Sequence, residues 1–511
     1  MHIRHATHPQ LINTGHRFAR IASKPPDDPG AALPWPELVR FKHELDREPC
    51  LRWLIDGTKH LGHQSSSLNA LFRLIEVIDY HGRIEVYYVD DDPRLLGDTT
   101  GKLDHLIPEL QRQGQSSFHH RHAGAQLHFQ RLQAERSPSV PVRFGVTCGA
   151  DRMDINYARV LNVDTFLRLQ PYLWDDLANQ RRDPFFVSSR LECRDGRQLY
   201  LCDAWPALRQ APLALATAPE QAARLSDNDN DNDNDNDRQV WPVYGLHHFV
   251  DHSHRMALRI GLCAAVLCAR HQSPLQLIFC CPLAQQRPWR QKVTSMLRGI
   301  VFTPAEWQRL WLETVSRDPG VSSSDTAPGA PAVMTCERQQ PHVGSMPALV
   351  LVFAGPSPPG QYRAWLSSSR LPAVLEGLAS INEALQHGSP CLQLLRAEFA
   401  SKSLCEQLRR HHGQAPLIKR LAMAARALQA PPRASADTTP ATIDSADLLA
   451  VRLLLSICED LSRPSSPLDR LFREHHAWAT RPQRDKLLLG LLALAIHSEE
   501  EAEDGATALA N

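Results

Sequence analysis

Apolar positions recur along the chain in two blocks of alternating strand-like and helix-like pattern. In the first block CLRWLI (50–55) is a short apolar run, SSSLNALFRLIEVID (65–79) carries apolar residues at helical spacing, and RIEVYYVD (83–90) is β-branched and aromatic. VRFGVTC (142–148), VDTFLRLQ (163–170) and PFFVSS (184–189) predict further strands, separated by the polar, helix-prone KLDHLIPELQRQ (102–113) and AQLHFQRLQAERS (125–137). The second block reads as helix MALRIGLCAAVLCARH, strand LQLIFCC, helix PWRQKVTSMLRGI, strand ALVLVFA, helix LASINEALQHG and strand PCLQLL. Alternation of this kind implies parallel sheets covered by helices.

A chain of 511 residues is too long for one core. Composition shifts divide it into an N-terminal arm (1–49), a first α/β domain (50–211), a low-complexity insertion (212–240), a second α/β domain (241–430), a linker (431–445), a helical extension (446–498) and a frayed acidic tail (499–511). The extension rests on two strongly amphipathic segments, ADLLAVRLLLSICEDL and RDKLLLGLLALAIH. Within the insertion, alternating Asp and Asn from Asp227 to Asp237 repel one another and bury nothing, which predicts a solvated loop. A calcium loop would need a Gly bend and a terminal carboxylate that the repeat lacks.

Charge narrows the partners. Lys plus Arg and Asp plus Glu are equal at 56 each, so no net field draws the chain to nucleic acid or to an anionic membrane. The first thirty residues contain no uninterrupted apolar stretch of the kind a secretory signal needs. Met256 to Ala269 is the longest greasy run and falls short of the roughly 20 residues that span a bilayer. Cysteines are scattered without metal or redox spacing, so a cytoplasmic protein is expected, and delivery by a non-Sec route stays compatible with the sequence.

Two strand-to-helix segments carry candidate chemistry. In EGLASINEALQHGSP, Gly377 and Ser380 stand where a helix begins, so free amides and a hydroxyl can meet a phosphate. Glu383 follows Ser380 by three residues in a capping-box pattern, and Gly388 and Pro390 end the helix. A capped amphipathic helix needs these same residues with no ligand at all. In LRWLIDGTKHLGHQSSSLNALFRLI a two-glycine loop brings Gly62 and His63 before a Ser-rich helix start that Ser65, Ser66 or Ser67 would cap.

The spacing G-x-x-S-x-x-E-x-x-x-x-G-x-P resembles the donor-site segment of GT-B-type glycosyltransferases, and the Gly62–His63 pair resembles their first strand-to-helix loop. The resemblance covers these two segments, one in each half of the chain. It implies an α/β fold of two Rossmann-like domains facing a cleft, with the acceptor side first. By the same resemblance, Gly377 and Ser380 hold the diphosphate of a nucleotide sugar, such as a UDP-sugar, and Glu383 contacts its nucleoside. His63 is then the general base, a task that suits an imidazole titrating near neutrality. Asp151 or Asp154 would orient it. Many family members carry His or Arg two residues before the Gly, where this chain has Leu375, so the cation is sought in Arg370 or Arg363. His248 would touch the donor near the start of the second domain. Gln64, Tyr172 and Trp174 would line the acceptor side, the aromatic pair offering faces for a sugar ring. The scheme requires no metal and no cofactor, and leaves the acceptor open: small molecule, glycan or protein.

Two other readings compete. One is a non-catalytic binding or interaction protein that keeps the fold, which Leu375 favours. The other is a metal-dependent hydrolase built on GLHHFVDHSH, where His248 and His252 on one helix would share a face with Asp251 beside them. GDTTGKL (97–103) is one residue short of a nucleotide-binding phosphate loop and has Leu103 in place of the hydroxyl, though Thr99 and Thr100 at a helix start could face an acceptor.

Overall fold

The computed structural model describes residues 9–24, 33–56, 61–89, 103, 106–107, 117–132, 137–149, 155–170, 189–201, 239–271, 273–280, 287–301, 311–317, 334–338, 348–354, 357, 359–395, 404–431 and 443–510. The fold is α/β and divides into two compact units, Met1–Pro212 with Ala477–Asn511, and Leu213–His476. The Asp227–Asp237 repeat and the GDTTGKL threonines lie outside the described residues.

The first unit contains α1 (Pro9–Ala22), α2 (Pro36–Leu45), β1 (Leu51–Ile55), α3 (Leu61–Val77), β2 (Arg83–Tyr88), β3 (Ser117–His122), β4 (Ala125–Arg131), β5 (Val142–Cys148), α4 (Tyr157–Val160), β6 (Val163–Leu169), β7 (Arg190–Cys193) and β8 (Gln198–Tyr200). Its eight strands order as β3-β4-β2-β1-β5-β6-β7-β8. The central five are parallel and both edges antiparallel. β1 is buried throughout, as a strand with both faces covered must be. Arg52 is tolerated there because its guanidinium donates to the carbonyls of Leu161 (2.6 Å), Asn162 (3.0 Å) and Val140 (2.7 Å) and pairs with Glu85.

Three expectations change in this unit. AQLHFQR is strand β4, not helix: Ala125, Leu127 and Phe129 alternate inward, and Ala123 and Gly124 take positive φ (45° and 92°) in a two-residue hairpin turn. The described part of the N-terminal segment is core, not arm, since Phe18, Trp35, Leu38, Phe41 and Leu45 share one buried cluster with Trp53 and Leu71. GHQSSS lies inside α3 instead of before it, so the serines do not cap; Ser67 takes the Trp53 indole N–H at 2.9 Å.

The second unit runs β9 (Gln239–Tyr244), a 3-10 turn (Leu246–His248), α5 (Ser253–His271), β10 (Leu275–Cys280), α6 (Arg287–Val301), β11 (Trp311–Arg317), β12 (Met334–Arg338), β13 (Ala348–Phe353), α7 (Pro359–Ser368), β14 (Ala373–Leu375), α8 (Leu378–Gln386), β15 (Cys391–Gln393), α9 (Leu404–His412), α10 (Ala415–Gln429), α11 (Ser445–Leu461) and α12 (Pro467–Ala479). Strand order is β12-β11-β13-β10-β9-β14-β15, parallel except for β12. The greasy Met256 to Ala269 run is the buried core of α5. Among the described residues no helix is long and apolar enough to cross a membrane.

The region read as one helical extension is divided between the units. α11 packs on α5 and α10 of the second unit, opened by an Asp444–Asp447 capping box and tied down by Arg255 and Arg259 on Asp447. The last helix, α13 (Lys486–Ala510), belongs to the first unit's core through Leu487, Leu488, Leu491 and Leu492. Gly490 permits its close approach to β6, since a Cβ there would stand 2.7 Å from Leu169. The acidic segment is helical, not frayed, because Glu499 pairs with Arg17 and Arg40 and Glu501 with Arg197.

Candidate functional site

Strand order in the second sheet reverses between β9 and β14. From β9 the next strand, β10, is laid down on one side, and β14 and β15 on the other. In open α/β sheets, ligands bind beyond the carboxyl ends of the strands at such a reversal. Here β9 ends at Tyr244 and passes through Gly245 into the 3-10 turn, while β14 ends at Leu375 and passes through Glu376 and Gly377 into α8.

The two loops are fitted to each other. The Glu376 N–H donates to the Tyr244 carbonyl at 3.2 Å, which extends the ladder by one residue. Gly245 holds φ +94°, and a Cβ on it would stand 2.3 Å from the Glu376 Cβ. Only glycine satisfies both demands. This apposition brings His248 Nε2 within 3.3 Å of Glu376 Oε2, with the side chains 18% and 9% exposed. The His247 and His248 rings lie 3.9 Å apart, and Tyr244 stands between His247 (6.1 Å) and Tyr362 of α7 (5.9 Å). The result is an aromatic wall beside a carboxylate–imidazole pair.

Gly377 is the N-cap of α8, at an ordinary φ of −74°. A Cβ there would stand 3.2 Å from the Tyr244 ring and 3.7 Å from Ser380 Oγ, so the cap, the ring and the hydroxyl are neighbours. The first intrahelical bond runs from Ile381 N–H to the Gly377 carbonyl, which leaves the amides of residues 378–380 outside the helix ladder. Free amides and the positive end of a nine-residue helix suit an anion.

Glu383 has a different place from the one the resemblance implies. It stands in the middle of α8, too far along to form a capping box, and pairs with the buried Arg363 of α7. Burial pushes its carboxyl above the usual range, and the Arg363 charge and hydrogen bond pull it back. Arg363 is therefore committed to Glu383. Arg370 is exposed on the turn leading into β14, at the opposite end of that strand from Glu376. Leu375 is fully buried in β14. The acidic side chain that meets His248 at the reversal is Glu376, which the sequence alone did not single out; β14 is three residues long and leaves no periodic trace.

In the first unit, His63 is the third residue of α3, and its side chain is outside the description. Gln64 is buried and donates its amide to the Asp56 carbonyl at 2.9 Å, so it fastens α3 to the end of β1 instead of facing an acceptor. Asp151, Asp154, Tyr172 and Trp174 lie outside the described residues. The shared helical face expected of His248 and His252 does not form, because His248 ends the 3-10 turn and His252 precedes α5. Among the described residues no group of three or more His, Cys, Asp and Glu is gathered as metal ligands would be. No protein-family model matches the chain, and no curated protein matches it.

Proposed function

We propose that the chain is a nucleotide-sugar-dependent glycosyltransferase, of hexosyl- or N-acetylhexosaminyl-transferase type. Its two units would act as Rossmann-like domains facing a cleft, and the donor would bind at the β9/β14 reversal of the second. The observation that carries this reading is the meeting of Gly377, Ser380 and the α8 amides with Glu376, His248 and Tyr244 at one strand-order reversal. Amides and Ser380 take the diphosphate, the tyrosine and histidine rings pack on the planar base, and Glu376 accepts hydrogen bonds from hydroxyls. The acceptor is held by the first unit, and His63 takes the proton from its attacking hydroxyl with Asp151 or Asp154 as orienter. Helix amides steady the departing diphosphate.

Thermal denaturation with a panel of nucleotides and UDP-sugars tests the donor. A ligand at 100 times its Kd adds about 2.7 kcal/mol to the unit that holds it. No stabilisation by any nucleotide removes the reading. A His63→Ala variant that retains full transfer removes the base.

One observation favours the second reading, a binding module without transfer. Arg363, a guanidinium beside α8, is paired with Glu383, and Leu375 stands where many GT-B-type glycosyltransferases, which this segment resembles, carry His or Arg. Nucleotide binding without turnover on any acceptor would select it.

A further inference from the structure

A second polar centre lies buried in the first unit, at the sheet end toward which the parallel strands run. Arg168 of β6 and Arg190 of β7 are cross-strand partners there, 0% and 2% exposed. They share one carboxylate. Arg168 Nη1 donates to Glu192 Oε1 at 3.2 Å and Arg190 Nε to the same oxygen at 2.5 Å, while Oε2 accepts the Tyr157 backbone N–H at 3.0 Å. Both oxygens of Glu192 are thus engaged. Asp56 is turned to the Tyr157 hydroxyl at 3.4 Å, and Arg168 lies over that ring at 4.9 Å.

Two guanidiniums thus meet at the carboxylate between them. Burial, then the Arg190 charge, push Arg168 below its ordinary pKa, which is the response of a cation in such surroundings. Among the described residues no acceptor meets Arg190 Nη2. Folded proteins very rarely leave a buried charged donor unmet, and the usual completion is a water, an ion or a ligand. Arg190 Nη2 carries two N–H groups on a permanent cation, and an oxyanion oxygen accepts from a guanidinium more strongly than a neutral water does.

We infer that Arg190, backed by Arg168, is the binding site for the oxyanion group, phosphate or carboxylate, of a small ligand of the first unit. The inference stands without the transferase reading. Where both hold, the acceptor is an anionic molecule.

Binding of radiolabelled inorganic phosphate to the full chain at constant ionic strength tests this, with succinate and uridine diphosphate as competitors and Arg190→Lys as the variant. Lysine keeps the charge beside Glu192 and lacks Nη2. The expected result is saturable phosphate binding that uridine diphosphate leaves in place and Arg190→Lys weakens at least tenfold. Competition by succinate extends the site to carboxylates, and its absence restricts it to phosphate. Should the lysine variant fail to fold, hydrogen exchange of β6 and β7 in the unaltered chain serves, slowed by saturating phosphate. No saturable binding, binding retained in Arg190→Lys, complete displacement by uridine diphosphate, or unchanged exchange in β6 and β7 overturns the inference. Failure of uridine diphosphate alone to bind bears on the second unit and leaves this site standing.

Discussion

Glu376 in its place excludes any side chain on Gly245: a Cβ there would stand 2.3 Å from the Glu376 Cβ, on a backbone held at φ +94°. That closeness presents Glu376 to His248. Gly245→Ala carries two penalties, a left-handed backbone for a residue with a Cβ and an overpacked contact, each about 1–2 kcal/mol. We expect a loss of about 2–4 kcal/mol in the denaturation of the second unit, with nucleotide binding lost even where the unit stays folded. A variant with unchanged stability would mean the two loops part without cost.

The His248–Glu376 pair gives a prediction separable from folding. Glu376→Gln preserves shape and removes the charge, and His248→Gln removes the imidazole. Hydrogen bonds to a charged group contribute about 1.5–3 kcal/mol. Each variant should therefore weaken nucleotide binding by roughly tenfold or more, since about 1.4 kcal/mol is tenfold. Calorimetric titration beside an unchanged melting temperature checks it. Unaltered affinity in both variants places the ligand elsewhere.

What the sequence discloses differs between the long elements and the short ones. Long, periodic segments such as α3, α5 and β13 declare themselves, because burial on one face or both leaves a pattern over many residues. β14, three residues long, cannot show a period, so Glu376 at its end is invisible until the sheet sets it beside Gly245. β9 carries Pro242 in its middle, which argues against a central strand; the ladder to β14 begins only at Val243, so the missing N–H is tolerated. Glu383 is legible as an acidic residue on a helix, but its commitment to Arg363 depends on α7 lying alongside, which no spacing encodes.

Burial of the Glu383 carboxyl, opposed by Arg363, makes stability depend on pH in a defined direction. A carboxyl whose folded-state pKa is raised holds more protons folded than unfolded between its ordinary value and the raised one. Stability therefore rises as pH falls through that window. Arg363→Met removes the two influences that lower the Glu383 pKa and leaves a carboxylate with little exposure uncompensated, at a loss of about 3–5 kcal/mol near neutral pH. Urea denaturation should show that loss shrinking on acidification, and Arg363→Met with Glu383→Leu should recover most of it. A loss that is constant between neutral and mildly acidic pH assigns it to packing instead.

Asp485 shows how far the final helix belongs to the first unit. Its Oδ1 accepts the N–H groups of Leu487 (3.1 Å) and Leu488 (3.3 Å) at the start of α13, and the same carboxylate takes Arg73 Nη1 from α3 at 2.8 Å. One fully buried side chain thus both starts the helix and binds it to α3. Asp485→Ala breaks a buried ion pair with Arg73, which costs about 3–5 kcal/mol, and removes a cap that contributes about 1 kcal/mol. Asp485→Asn retains the cap and loses the charge, so it should be the milder change. Hydrogen exchange resolves where the loss falls. Protection in α13 and β1 should drop together, because Leu487 and Leu492 share a cluster with Leu51 and Trp53, while β10 and β13 keep theirs. If α13 alone loses protection and β1 keeps it, the helix is an appendage on a core that stands without it, and its place in that core is incidental to the fold.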